Sequence, residues 1–173
     1  MAPEAVPGFD PSNGNEQARF LLLLEAPGPK AIETGLVSLD NPDPSARNLK
    51  AQLGAAEIRR HDLAIWNVVP WFIGDFEKRK IRPVKRSDVR EGVKYLPLLL
   101  AAMPNLQGIV LIGAAARSAH IFLSHTTSAR ILACHHPSAR AMNANPGAFE
   151  ENIAVFRNLS TGGLSVSAGA RGE

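Results

Sequence analysis

Residues 19–28 read Arg-Phe-Leu-Leu-Leu-Leu-Glu-Ala-Pro-Gly. Five consecutive large apolar side chains leave no polar face, so the run suits a strand covered on both sides. It stops at Pro27-Gly28, a pair that ends regular pairing and opens a turn. Glu25 follows the leucines directly and so stands where that strand leaves its sheet.

The same grammar recurs downstream. Leu63–Trp71 (LAIWNVVPW) is a second apolar strand, broken by Pro70. Gly108–Ile112 (GIVLI) is a third, and Ala129–Cys134 a fourth, stopped by His135-His136-Pro137. Between them the spacing turns helical. Asp43-Pro44 supplies an N-cap and a first-turn proline ahead of Leu49, Leu53 and Ala56. Ser87-Asp88 caps a helix through Val93, Leu96 and Leu100, with Pro97 as a kink. Gly113 opens a helix over Ala114–Leu123, and Asn145-Pro146 caps a last one that holds Phe149, Ile153 and Phe156. Strand and helix alternating four times predicts an α/β fold, a three-layer α/β/α sandwich around a central four-stranded parallel sheet. Ligands of such sheets bind beyond the carboxyl ends of the strands. That rule singles out Glu25-Ala26-Pro27-Gly28, Asn67, Gly113 and His136-Pro137-Ser138.

Length and composition fit this reading. The 173 residues hold one domain, placed at residues 18–159. Pro, Gly and Ser mark residues 1–17 as a flexible arm and 160–173 as a flexible tail. A hydrophobic fraction of 45% and a charged fraction of 20% exclude a disordered chain or a coiled coil. The single cysteine, Cys134, excludes an internal disulfide, a Cys-based zinc ribbon and a four-thiolate cluster. No apolar run approaches the roughly 18–20 residues of a membrane span. With no export signal either, the expected compartment is the cytoplasm, with no membrane partner. His135 and His136 are adjacent but lack a third ligand at suitable spacing, so no metal is expected.

The net charge is only +3. Yet Lys78, Arg79, Lys80, Arg82, Lys85, Arg86 and Arg90 fall in one short stretch against a single acid, Asp88. Such a cluster is either a solvated basic loop or a surface that tracks phosphates, and its place after the Asn67 strand favours the second. The strand-end residues have similar double readings. Glu25 is a water-positioning carboxylate or a solvated strand end. Asn67 is an amide that reads a base edge or one that satisfies nearby backbone. His136 sits where it could donate to an oxygen gaining negative charge. Gly113 lacks the G-x-G-x-x-G context and reads as a plain strand-to-helix turn.

Taken in order, Leu24-Glu25-Ala26-Pro27-Gly28, Asn67-Val68-Val69, the basic Pro-containing loop, Gly108–Ala116 (GIVLIGAAA) and His136-Pro137-Ser138 resemble the motifs of the uracil-DNA glycosylase superfamily. The likeness runs from about Arg19 to Leu159 and is nearest to the branch that carries an iron–sulfur cluster. It implies a monofunctional, base-flipping hydrolase that removes uracil from DNA and starts base-excision repair. It implies no cofactor, uracil-containing DNA (single- or double-stranded) as partner, and a monomer. By resemblance His136 donates to uracil O2, Glu25 holds or activates water, and Asn67 reads the O4/N3 edge. Ala26, Pro27 and Gly28 line the uracil pocket. Ser45, Lys78, Arg79, Lys80, Arg82, Lys85, Arg86, Ser138 and Arg140 meet the DNA, with the loop 138–142 entering the groove.

The departures are specific. The four cluster cysteines are missing, and Ala26 stands where some relatives carry a water-activating Asp. Gly35–Ala46 holds no aromatic to stack on the base, so the stacking partner either comes from elsewhere, with Trp71 and Phe72 as candidates, or is lost. Arg82 takes the place of a histidine by which another branch traps DNA, so no covalent trapping is expected. A glycosylase for another deaminated base (xanthine or hypoxanthine) and a non-catalytic lesion-binding module stay open beside the uracil reading.

Overall fold

The computed structural model describes residues 6–75, 77 and 80–161. In chain order the strands and helices are Gly8–Phe9 (β1), Phe20–Leu24 (β2), Pro29–Thr34 (α1), Leu36–Val37 (β3), Pro44–Ala55 (α2) and Leu63–Asn67 (β4). Gly74–Asp75 (β5), Lys80–Ile81 (β6), Arg86–Gly92 (α3), Leu96–Ala101 (α4) and Gly108–Ile112 (β7) follow. The chain continues through Ala114–Arg117 (α5), His120–Thr126 (α6), Arg130–Cys134 (β8), Ala139–Ala144 (α7) and Ala148–Thr161 (α8).

The leucine run is a central strand. β2 lies between β4 and β7 in a four-stranded sheet of order β4-β2-β7-β8, and every pairing is parallel. Leu21, Leu22 and Leu23 are all fully buried because both faces are covered. Leu21 and Leu23 point with Ile109 and Leu111 toward Val89 of α3, Leu96 of α4 and Leu123 of α6. Leu22 points with Ile65, Val110 and Ile112 toward Leu49 and Leu53 of α2 and Phe156 and Leu159 of α8. The result is the expected three-layer sandwich.

Register decides where the ligand-binding edge lies. Leu24 pairs with Asn67, Leu23 with Leu111, and Ile112 with Cys134. The carboxyl ends of all four strands therefore stop in one row, and Glu25, Asn67, Gly113 and His136 gather along one edge.

Several boundaries differ from those read in the sequence. β4 ends at Asn67 rather than Trp71. The single helix expected over 114–123 is split into α5 and α6; Ser118 Oγ donates to the Ala115 carbonyl at 2.6 Å, a local bond that competes with helix continuation. Pro97 does not kink a continuous helix. It sits in the first turn of α4, where no N–H is required, after a tight 3-10 turn at Val93–Tyr95. Asn145-Pro146 precedes the last helix without capping it, because Gly147, at φ +90°, turns the chain before Ala148.

The described part of the N-terminal segment is anchored, unlike a loose arm. β1 pairs in parallel with β3, and Phe9 stacks on Trp66 with centroids 4.3 Å apart. Asp10 is buried and accepts bonds from the Ser12 N–H, the Ser38 hydroxyl and the Arg60 guanidinium. One aromatic and one carboxylate thus outweigh the prolines and glycines around them. No helix among the described residues is long and apolar enough to cross a membrane.

Candidate active site

A cavity of about 780 Å³ opens at the carboxyl edge of the sheet, lined among others by Glu25, Ala26, Pro27, Gly28, Asn67 and His136. Ser45, Arg82, Ser138 and Arg140 also line it. Four segments distant in sequence therefore meet at one place.

His136 is the most constrained of these groups. The Ser138 backbone N–H donates to its Nδ1 at 3.2 Å. Nδ1 is thereby an acceptor, so the ring proton of the neutral imidazole sits on Nε2. Burial pushes the imidazole below its ordinary value near 6.5, against the opposing pull of the Glu25 and Asp43 charges. Gly113 packs against the ring. A Cβ at that position would lie 3.2 Å from His136 Cβ and 3.3 Å from Cδ2, and Gly113 holds φ at +86°. Adjacent His135 faces the other way, its Nε2 3.0 Å from a Glu151 oxygen of α8. The geometry thus chooses between the two histidines, which the sequence could not.

Asn67 is 3% exposed, and its side-chain amide has no hydrogen-bond partner among the described residues. A buried amide that merely satisfied its neighbours would show such partners. Glu25 is half-buried at the end of β2, and its backbone carbonyl still continues the ladder by accepting the Val69 N–H at 3.0 Å. The backbone then turns through Pro27 to Gly28, which starts α1.

Asp43 is a second carboxylate on the cavity wall. One oxygen accepts the Ser45 and Ala46 N–H groups at 2.9 and 3.0 Å, as an N-cap does. Sequence reasoning found the cap and missed the pocket role. The missing signal was spatial: the N-terminus of α2 abuts the carboxyl edge of the sheet.

The aromatic candidates Trp71 and Phe72 do not reach the cavity. Trp71 meets Tyr95 edge-on at 6.1 Å and Phe72 is buried in the fold; neither lines the cavity. Its walls carry aliphatic Val37, Leu39, Leu49, Ile65 and Ile81 instead. The segment 138–142 is also not a loop. Ser138 caps α7 by accepting the Ala141 N–H at 3.2 Å, and Arg140 lies exposed in its first turn.

The basic stretch is partly compensated. Arg82 forms a two-pronged pair with Asp88 at 2.7 and 2.9 Å. The guanidinium holds the Asp88 carboxyl down at about 2, and the carboxylate raises Arg82 in turn. Lys80 on β6, Lys85 and Arg86 are exposed. Lys78 and Arg79 lie outside the described residues. Cys134 is buried, and burial lifts its thiol to about 12, so it is no nucleophile. Among the described residues no three His, Cys, Asp or Glu side chains gather in a group able to hold a metal ion.

An α/β/α domain of this kind also forms the solution NMR structure of a protein from Methanosarcina acetivorans provisionally described as a uracil DNA glycosylase. The two agree with a TM-score of 0.53 at 16% identity, over 89% of this chain and 98% of that one. At that identity the likeness establishes the fold alone. The family match goes further: the description of the Uracil DNA glycosylase superfamily fits residues 11–158, and the chain belongs to that superfamily of DNA glycosylases. No curated protein matches the chain.

Proposed function

We propose that the chain excises uracil from DNA by hydrolysing its N-glycosidic bond, the first step of base-excision repair. The observation that carries this reading is the pairing of a neutral, Nε2-protonated His136 with an unpartnered Asn67 amide in one cavity. When the C1′–N1 bond breaks, its electron pair flows into the base and charge builds on O2. His136 Nε2–H donates to that oxygen, a contribution worth roughly 10²–10³ in rate where such donors have been removed elsewhere. Asn67 offers a donor and an acceptor to a base edge with a carbonyl beside an N–H. Uracil has that edge at O4/N3, and cytosine reverses it. Glu25 orients the water that adds at C1′ and takes its proton. Ser45, Ser138 and Arg140 hold the DNA backbone while the base is flipped, and Lys80, Lys85 and Arg86 add positive charge nearby.

One observation favours a second reading. Beside its polar groups the cavity wall carries aliphatic side chains and, among the described residues, no Phe, Tyr or Trp, so no such ring on it selects a pyrimidine by stacking. Xanthine and hypoxanthine also show a carbonyl beside an N–H, so the same amide would accept them. Oligonucleotides carrying uracil, xanthine or hypoxanthine, treated with protein and then alkali, separate these readings. Strand cleavage at uracil that is lost in His136→Ala and Asn67→Ala is the expected result. Preferential cleavage at a purine would move the assignment to the second reading. Tight binding without cleavage would make the protein a lesion-binding module.

A further inference from the structure

The main chain on either side of His136 is gripped by side-chain amides from two helices. Asn152 of α8 is fully buried; its Oδ1 accepts the His135 N–H at 2.9 Å and its Nδ2 donates to the His135 carbonyl at 3.0 Å. That amide completes a hydrogen-bonding pattern beyond the end of β8, where the ladder has run out. Asn48 of α2 donates its Nδ2 to the Pro137 carbonyl at 2.8 Å. Gln52, one turn further along α2 and also fully buried, accepts from Asn152 Nδ2 at 3.3 Å and so ties Asn152 to the helix that carries Asn48.

We propose that Asn152 and Asn48 are positioning residues that fix His136 toward the base, through hydrogen bonds to the backbone of His135 and Pro137. Buried polar side chains in a core are expensive unless they are satisfied. Here two helices commit amides to one short turn, and that turn carries the ring proposed to act on the base. Neither amide lines the cavity, so neither touches the substrate. A shift of about 1 Å in a catalytic group costs up to roughly a hundredfold in rate, which is the scale at which such a clamp matters. The inference rests on the proposed role of His136, but its geometric half can be read without substrate.

Asn152→Asp keeps an acceptor for the His135 N–H and places a carboxylate against the His135 carbonyl. Asn48→Ala removes the other grip at a half-buried helix position and tests the clamp if the buried variant does not fold. In the free, isotopically labelled protein, the His136 ring resonances are followed against pH by NMR. With the clamp broken, the ring gains solvent and its titration moves up toward 6.5. Single-turnover excision of uracil then falls by about ten- to a hundredfold, with binding of a non-cleavable 2′-fluorodeoxyuridine duplex unchanged. The same substitutions added to His136→Ala cost nothing further. Unmoved His136 resonances in a folded variant overturn the clamp, as does an equal loss in the His136→Ala background. A wild-type protein that leaves uracil in place overturns the proposed reaction instead, while the titration still decides the clamp.

Discussion

The Ser138 N–H and His136 Nδ1 form a hydrogen bond within two residues, 3.2 Å long, and this bond sets the protonation of the ring. A ring that accepts at Nδ1 cannot also carry a proton there. Protonation would turn two donors toward each other, and burial opposes the charge as well. The folded protein therefore holds His136 neutral at a pH where the unfolded chain, with its histidine near 6.5, already binds a proton. Stability is then complete above 6.5 and declines as pH falls from 6.5 through the lower native value. Urea titrations of the wild type and of His136→Gln across that window test this. The wild type should lose more stability on acidification than the variant, and parallel curves would contradict it.

The buried Asn67 amide bonds to no other described side chain or backbone group, so the binding role proposed for it is separable from any duty in the fold. Asn67→Leu, an apolar replacement of similar size, should therefore leave thermal stability equal or slightly raised. Excision of uracil should drop by roughly a hundredfold or more, because the pocket loses the groups that read the base edge. Melting curves and single-turnover rates on one preparation give both numbers. A destabilised Asn67→Leu would mean that the amide supports the fold.

The sheet was legible in the sequence because its strands are nearly pure apolar runs ended by Pro or Gly, and Phe20–Leu24 and Gly108–Ile112 need no tertiary information. Helix boundaries were less legible. The break at Ser118 depends on which carbonyl its hydroxyl finds, and the place of Pro97 depends on a 3-10 turn just before it. The candidate site was visible as four strand ends, because parallel topology forces them to one edge. What stayed hidden were residues whose role is purely spatial. Asp43 reads as a cap, and Asn48, Gln52 and Asn152 read as ordinary helix polar positions until the helices are packed. The anchoring of Phe9 and Asp10 was hidden for the same reason: their partners Trp66 and Arg60 lie at least 50 positions away, and local composition carries no trace of them.

Gly113 is the point where the backbone of β7 leaves room for His136. Its φ of +86° with ψ of 174° lies in a region nearly reserved for glycine. Gly113→Ala should cost about 1–3 kcal/mol in stability from the backbone alone. The added methyl also meets His136 Cβ and Cδ2 at 3.2 and 3.3 Å, so the ring must move. Excision should fall further than the stability loss accounts for when measured at a temperature where the variant is fully folded. A folded Gly113→Ala with wild-type turnover would show that the ring tolerates displacement.

Among the described residues of the basic stretch, Arg82 alone lines the cavity, and its pairing with an acid lowers the charge it shows to DNA. Asp88→Asn should release it. The amide oxygen can still accept the Lys85 N–H that the Asp88 carboxylate takes at 2.7 Å, so the start of α3 is preserved. With one more free cation near the phosphates, the plot of log binding constant against log salt concentration should steepen by about 0.9. Arg82→Gln should not steepen it. The carboxyl of Asp88 is held at about 2 against an ordinary 3.8, so its pairing contributes stability above 3.8 that is lost as pH falls through about 2. Asp88→Asn should remove that acid-side decline. Fluorescence anisotropy on a labelled duplex over a salt series measures the slope; an unchanged slope in Asp88→Asn would place Arg82 away from the phosphates and leave Lys80, Lys85, Arg86 and Arg140 as the described cations proposed to meet them.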